Sequence, residues 1–339
     1  MPKTPPQIVA RKLLLLMVFL SLLLVCKCDA GPSFEETRKS AEQGNATAQG
    51  YLGVMYYRGE GVPRDYGEAV KWFRKAADQG KVTAQGLLGD MFREGKNVPK
   101  DYGEAVKWFR KAAEQGDAHA QNTLGVMYRD GEGVTKDYGE AAKSFRKAAE
   151  QGDVDAQTDL GNMYVEGWGV TKDYGEAVKW YRKAAEKGFD RAQTSIGIMF
   201  RDGKGVPKDY GEAVKWYRKA AEQGRVEAQC ELGFIYHLGE GVTKDDVEAV
   251  KWLRKAAEQG NAQAQTNLGV MYRDGMGVTK DEIEALAWFS IAAASGYEYA
   301  FKERTALEQR LGQQMSLLAQ QRSKEILKKI EIAKAKVRP

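Results

Sequence analysis

"DYGEAVKWFRKAADQG" occupies residues 65–80, and nearly the same words return from Asp101, Asp137, Asp173, Asp209 and Asp245, and in altered form from Asp281. The step is 36 residues each time. Asp65 stands where an N-cap belongs and Glu68 follows three places on, the spacing of a capping box. Ala69, Trp72, Phe73 and Ala76 recur at helical spacing and make one apolar stripe. Acids come first and Lys71, Arg74 and Lys75 later, which suits the helix dipole. Gly80 stands just past the end, where a left-handed residue closes a helix. The stretch is an amphipathic helix with its own start and stop signals.

The residues ahead of it, "NATAQGYLGVMYYRG" at 45–59, give a second helix with the stripe Ala48, Leu52, Met55 and Tyr56. Gly53 recurs at Gly89, Gly125, Gly161, Gly197, Gly233 and Gly269. A glycine inside a helix costs about 1 kcal/mol relative to alanine. Seven of them imply that another backbone, or the Trp ring, sits against each. "GEGVPRD" at 59–65 joins the two helices by a tight turn, with Val62 able to plug inward. One such hairpin cannot bury both its faces, whereas stacked neighbours can.

These residues carry a resemblance. The pattern A-Q-x-x-L-G-x-M-Y-x-x-G-x-G-V-x-x-D-x-x-E-A-V-K-W-x-x-K-A-A-E-Q-G resembles the Sel-1-like repeat, a relative of the tetratricopeptide repeat with a longer inter-helix turn. "ALAWFSIAAASGYEYAFKERTALEQRL" resembles the C-terminal capping module of bacterial members. The resemblance implies an all-α fold: an α/α superhelical solenoid of seven 36-residue helix-turn-helix repeats with helical caps. It implies an adaptor or scaffold for protein partners, and no chemistry. Some members are cysteine-rich and have been assigned β-lactamase activity; this chain lacks those cysteines.

The chain therefore divides into a leader at 1–30, an N-terminal capping helix or half repeat at 31–44, seven repeats at 45–297, and a helical cap at 298–339 with a basic terminal helix. In the leader, Lys3, Arg11 and Lys12 precede the apolar run "LLLLMVFLSLLLV" at 13–25. Thirteen residues are short for a membrane span, which needs about 20. The pattern is that of a signal peptide cleaved after Ala30, and export to the periplasm or beyond follows as an expectation. A membrane anchor, or a lipoprotein through Cys26, is the alternative; Val25 departs from a lipobox. Removing residues 1–30 leaves 48 basic against 46 acidic residues, too even a balance for nucleic-acid binding. Membrane contact would come through the leader, or weakly through the last twenty residues, of which seven are Lys or Arg. Cys230 would be the one remaining thiol, so stability must come from packing.

No catalytic residue, metal site or cofactor site emerges. His119 and His237 sit at different positions of different repeats, without metal spacing. "SFRK" at 144–147 matches S-x-x-K without its companion motifs, and arises because Ser144 replaces a repeat tryptophan. "GKG" at 203–205 lacks the phosphate-loop spacing.

Positions that differ between repeats are free of the stacking duty. On the first helix they are the columns of Thr47, Gly50, Tyr51, Val54 and Tyr57, which share one face opposite the Ala48–Leu52–Met55 stripe. By the resemblance this face lines the concave surface. The candidate partner-binding residues are Tyr51, Val54, Asp90, Arg93, Val126, Arg129, Asp159, Asn162, Ile198, Arg201, Glu231, Phe234, His237, Val270 and Arg273. Such a strip suits an extended peptide or a partner's helix, with the recurring arginine pairing to carboxylates. Trp168 stands in a turn where most other repeats carry Glu or Lys, and is a candidate anchor or a plug for its own repeat. A non-catalytic protein-binding scaffold is the expected function. An envelope hydrolase of β-lactamase type, or a spacer without a ligand, are the alternatives.

Overall fold

The structure, a computed structural model, describes residues 33–95 and 97–337. The leader at 1–30, with Cys26 and Cys28, lies outside the described residues. Every regular element among them is a helix. Helix α1 spans Phe34–Glu42. Seven antiparallel pairs follow: α2 (Ala46–Arg58) with α3 (Tyr66–Asp78), α4 (Val82–Glu94) with α5 (Tyr102–Glu114), α6 (Ala118–Asp130) with α7 (Tyr138–Glu150), and α8 (Val154–Glu166) with α9 (Tyr174–Glu186). Then come α10 (Asp190–Asp202) with α11 (Tyr210–Glu222), α12 (Val226–Leu238) with α13 (Asp246–Glu258), and α14 (Ala262–Asp274) with α15 (Glu282–Ala294). Helix α16 runs Glu298–Val337 and is broken at Gly312, whose φ is 80° and ψ 177°. The chain falls into two compact units divided between Lys187 and Gly188. In each, consecutive helices pack in chain order, so the fold is the expected all-α repeat solenoid.

The helix signals act with one change. Asp65 Oδ1 accepts the Glu68 N–H at 3.0 Å, and the six later aspartates cap their helices likewise. The reciprocal half of the expected capping box does not form at Glu68. Its carboxylate instead accepts from Lys71 Nζ at 2.9 Å and from Trp72 Nε1 at 3.1 Å. Donors three and four places on lie beneath a helical side chain, and the buried indole needs an acceptor. The full box occurs at Ser33 and Glu36, opening α1.

The helical glycines face neither backbone nor tryptophan. A Cβ on Gly53 would lie 2.6 Å from the Phe73 ring, and one on Gly125 2.6 Å from Phe145. Tyr181, Tyr217, Leu253 and Phe289 occupy the same place against Gly161, Gly197, Gly233 and Gly269. The glycine is therefore the socket for the apolar side chain that follows the tryptophan position.

A glutamine ladder ties the repeats. Gln85 Nε2 donates to Ala77 O at 3.0 Å, a second donor for a carbonyl that already accepts from the Gly80 N–H, and Gln85 Oε1 accepts from Gln115 at 2.8 Å. Gln121 and Gln229 repeat both bonds. Where Lys187 and Ser295 stand at the position of Gln115, the ladder breaks: Gln157 Oε1 and Gln265 Oε1 are buried without a hydrogen-bond partner. Lys187 Nζ goes to Gly152 O at 2.8 Å instead. A buried unmet acceptor costs on the order of 1 kcal/mol or more. Lys187→Gln is therefore expected to stabilise the first unit by about 1 kcal/mol in urea unfolding; no gain would show that Gln157 does not need that donor.

Candidate protein-docking face

The variable columns lie on the first helices α2, α4, α6 and α8 in one unit and α10, α12 and α14 in the other. The Val54 column (Val54, Asp90, Val126 and Asn162, then Ile198, Phe234 and Val270) is half-buried throughout. The Tyr51 column is not free surface: Thr123 and Asp159 are buried, and the rest half-buried.

The recurring arginines that were candidates for a partner's carboxylates each make ion pairs inside the fold. Arg129 grips Asp130 through two bonds of 2.8 Å and reaches Asp159 of the next repeat at 3.5 Å. Arg201 meets Asp202 at 2.8 Å and Glu231 at 2.5 Å, and Arg273 holds Asp274 and Glu303 in the same way. Arg93 takes Glu132, from the turn of the next repeat, at 2.9 Å. In each case the arginine near the end of one first helix clasps an acid presented by the following repeat or, for Arg273, by the cap. These staples are half-buried, so they are screened less than surface pairs. A double-mutant cycle on Arg129 and Asp159 is expected to give a coupling of about 1 kcal/mol in unfolding free energy. A coupling indistinguishable from zero would return Arg129 to the pool of partner-binding groups.

The two histidines also pair with acids, His119 across to the preceding repeat and His237 within its own. His119 Nε2 lies 3.2 Å from Asp90, and His237 Nδ1 2.6 Å from Asp246. Burial works against a charged His119 ring, but the Asp90 hydrogen bond and the charges of Asp90, Asp117 and Asp153 outweigh it. The ring is held above its ordinary pKa of 6.5. A raised folded pKa stabilises fully below the ordinary value and fades as pH rises through the raised one. The urea midpoint should fall as pH rises from the ordinary histidine value through the raised one, and Asp90→Asn should flatten that fall. An unchanged slope in Asp90→Asn would remove Asp90 as the cause.

Arg129, Asp159 and Asn162 do converge with Trp168. With Asp130, Lys136, Tyr138 and Met163 they line a cleft of about 280 Å³ between the third and fourth repeats. Trp168 neither hangs free nor folds onto its own repeat. Its ring stacks on Tyr138 of the preceding repeat, centroids 5.2 Å apart and planes 17° apart, and stays 40% exposed. Asn162 Oδ1 accepts from Tyr181 Oη at 2.7 Å, and its Nδ2 donates to Asp159 at 3.4 Å. In the next repeat Ile198 replaces that asparagine, and the Tyr217 hydroxyl is buried without a partner. Reading the sequence column by column overlooked Lys136 and Tyr138, because Tyr138 belongs to a nearly constant column. Its tie to Trp168 is a contact between repeats, which no single column displays.

Burial pushes the Cys230 thiol up to about 12, and its Sγ lies 3.3 Å from Asn261 Oδ1. Among the described residues no three His, Cys, Asp or Glu side chains are grouped to hold a metal ion. No described helix is long and apolar enough to cross a membrane.

The Sel1 repeat model matches seven times in succession, over residues 46–81, 82–117, 118–153, 154–189, 190–224, 226–261 and 262–297. The chain belongs to the Sel1 repeat family. Sel1 repeat proteins are generally non-catalytic scaffolds that bind other proteins. Among solved structures this Sel1 repeat chain is similar to c5321, a protective antigen of uropathogenic Escherichia coli with an SLR fold. They share 39% identity with a TM-score of 0.77, over 88% of this chain and 64% of that one. The chain thus spans less than two thirds of c5321. It is also similar to a Sel1 repeat protein from Oxalobacter formigenes: 38% identity, TM-score 0.70, covering 81% of this chain and 79% of that one. No curated protein matches the chain.

Proposed function

We propose that this Sel1 repeat chain is an exported scaffold that holds a protein partner against the variable face of its first helices. The observation that carries the reading is the cleft beside α6 and α8. There the variable columns and the one turn tryptophan meet in a hollow that stacking of the repeats does not fill. The arginine and histidine staples fix the backbone of the face. The apolar members of the Val54 column (Val54, Val126, Ile198, Phe234 and Val270) and Trp168 are left for contact. Binding energy in such an arrangement is spread over several repeats, so single substitutions cost little except at an aromatic anchor. Export rests on the leader pattern at 1–30.

The test is affinity capture from an envelope fraction with the full chain as bait, alongside a Val126→Asp, Ile198→Asp, Phe234→Asp variant. Retention of a protein by the parent and its loss from an equally stable variant supports the face. Equal capture by both, or capture of nothing, contradicts it.

A further inference from the structure

Trp168 is the one aromatic residue at its turn position. The other turns place Glu60, Lys96, Glu132, Lys204, Glu240 and Met276 there. Its backbone is fixed on both sides. Gly167 (φ 75°) closes α8, the Trp168 N–H donates to Met163 O at 3.0 Å, and Gly169 (φ 65°) lies directly on the Tyr138 carbonyl. With one face on Tyr138, the indole is held in place before any ligand arrives, which lowers the entropic cost of binding.

The polar groups around it are already spent. One repeat earlier, the turn acid Glu132 satisfies Arg93. Here tryptophan replaces that acid, and Arg129 has turned to Asp130 and Asp159. Asn162 is engaged at both ends. The lining charges, Arg129 and Lys136 against Asp130 and Asp159, cancel. An acidic ligand would have to compete with formed ion pairs for little net field. A sugar would find few free polar partners. What the cleft offers is an aromatic face and two donors: the indole N–H, which has no hydrogen bond among the described residues, and the Lys136 ammonium, which lies 4.8 Å over Tyr138 and makes no salt bridge there.

Those features fit a neutral, stiff chain with rings and outward carbonyls. A proline-containing extended segment has that form: its ring packs on an aromatic plane, its carbonyls accept from neighbouring donors, and its conformation is set beforehand. We infer that the Trp168 cleft docks a proline-containing extended segment of the protein partner. This rests on the scaffold reading and names the chemistry of one part of it.

The test follows the indole N–H resonances of the ¹⁵N-labelled full chain, with that of Trp168 identified by its loss in Trp168→Phe. An uncharged hexaproline peptide should shift the Trp168 resonance saturably and leave the other tryptophans in place. A Gly-Ser hexapeptide should not shift it. Trp168→Ala should abolish binding measured by calorimetry, and Lys136→Ala should weaken it several-fold. No Trp168 shift with hexaproline overturns the inference, and so does a shift given only by hexaglutamate or only by a neutral oligosaccharide. Such a failure alongside successful capture on the Val54 column would leave the scaffold standing and remove only this ligand class. Hexaproline binding without any capture would remove the scaffold reading and, with it, the partner segment inferred here.

Discussion

Gly169→Val is expected to cost about 3–5 kcal/mol of unfolding free energy in the first unit, summing backbone strain and overpacking. Two causes act together. The residue sits at φ 65°, a conformation that a β-branched side chain strongly resists. A Cβ there would also press into the carbonyl of Tyr138 and the N–H of Gly139, at the start of α7. Backbone cannot swing aside as a flexible side chain can, so either the turn or the helix start must move. Trp168 would lose its stack on Tyr138. Gly116→Ala separates the two causes, because Gly116 has φ 91° with nothing within 4 Å of a Cβ. It should cost only about 1 kcal/mol. Equal losses from Gly169→Val and Gly116→Ala would show that conformation alone matters, and that the turn does not press on the preceding repeat.

The second large effect has a sign that decides it. Gly125→Ala puts a methyl 2.6 Å from the Phe145 ring, and Phe145 is fully buried. Overpacking costs about 1–3 kcal/mol and outweighs the gain of about 1 kcal/mol from better helix propensity. The net expectation is a loss of up to about 2 kcal/mol. Gly86→Ala is the same change inside a neighbouring first helix, with open space around the new methyl. It should raise stability by up to about 1 kcal/mol. Urea unfolding of the two variants should therefore move in opposite directions. Movement in the same direction would mean that the ring does not require the glycine.

The 36-residue period, the Asp caps and the stop glycines made the helices readable before any coordinates. They are local signals, and each repeat states them again. Partners across repeats were harder to see. Periodicity marks a face as apolar, but it does not say that Phe73 rather than Trp72 meets Gly53. The staples Arg129–Asp159 and Arg201–Glu231 join residues 30 apart, and Arg273–Glu303 keeps that spacing into the cap. That regularity was present in the columns, yet reading arginines and acids as separate columns hid it. Trp168 stood out by type, but its position did not reveal Tyr138 beneath it. The defects at Lys187 and Ser295 were visible as substitutions and carried meaning only once the glutamine ladder was known.

If the first-helix face takes the partner, the constant positions of the second helices only stack. A photo-crosslinking scan tests this directly. A photoreactive residue is placed singly at Val54, Val126, Ile198, Phe234 and Val270, and for comparison at Lys71, Lys143, Lys179, Lys215 and Lys251 on the exposed side of the second helices. The full chain is then irradiated in its own cells. One shared crosslinked protein is expected from several first-helix positions and none from the lysine positions. Crosslinks to that protein from the lysine column, with none from the Val54 column, would place the docking surface on the second helices and contradict the account.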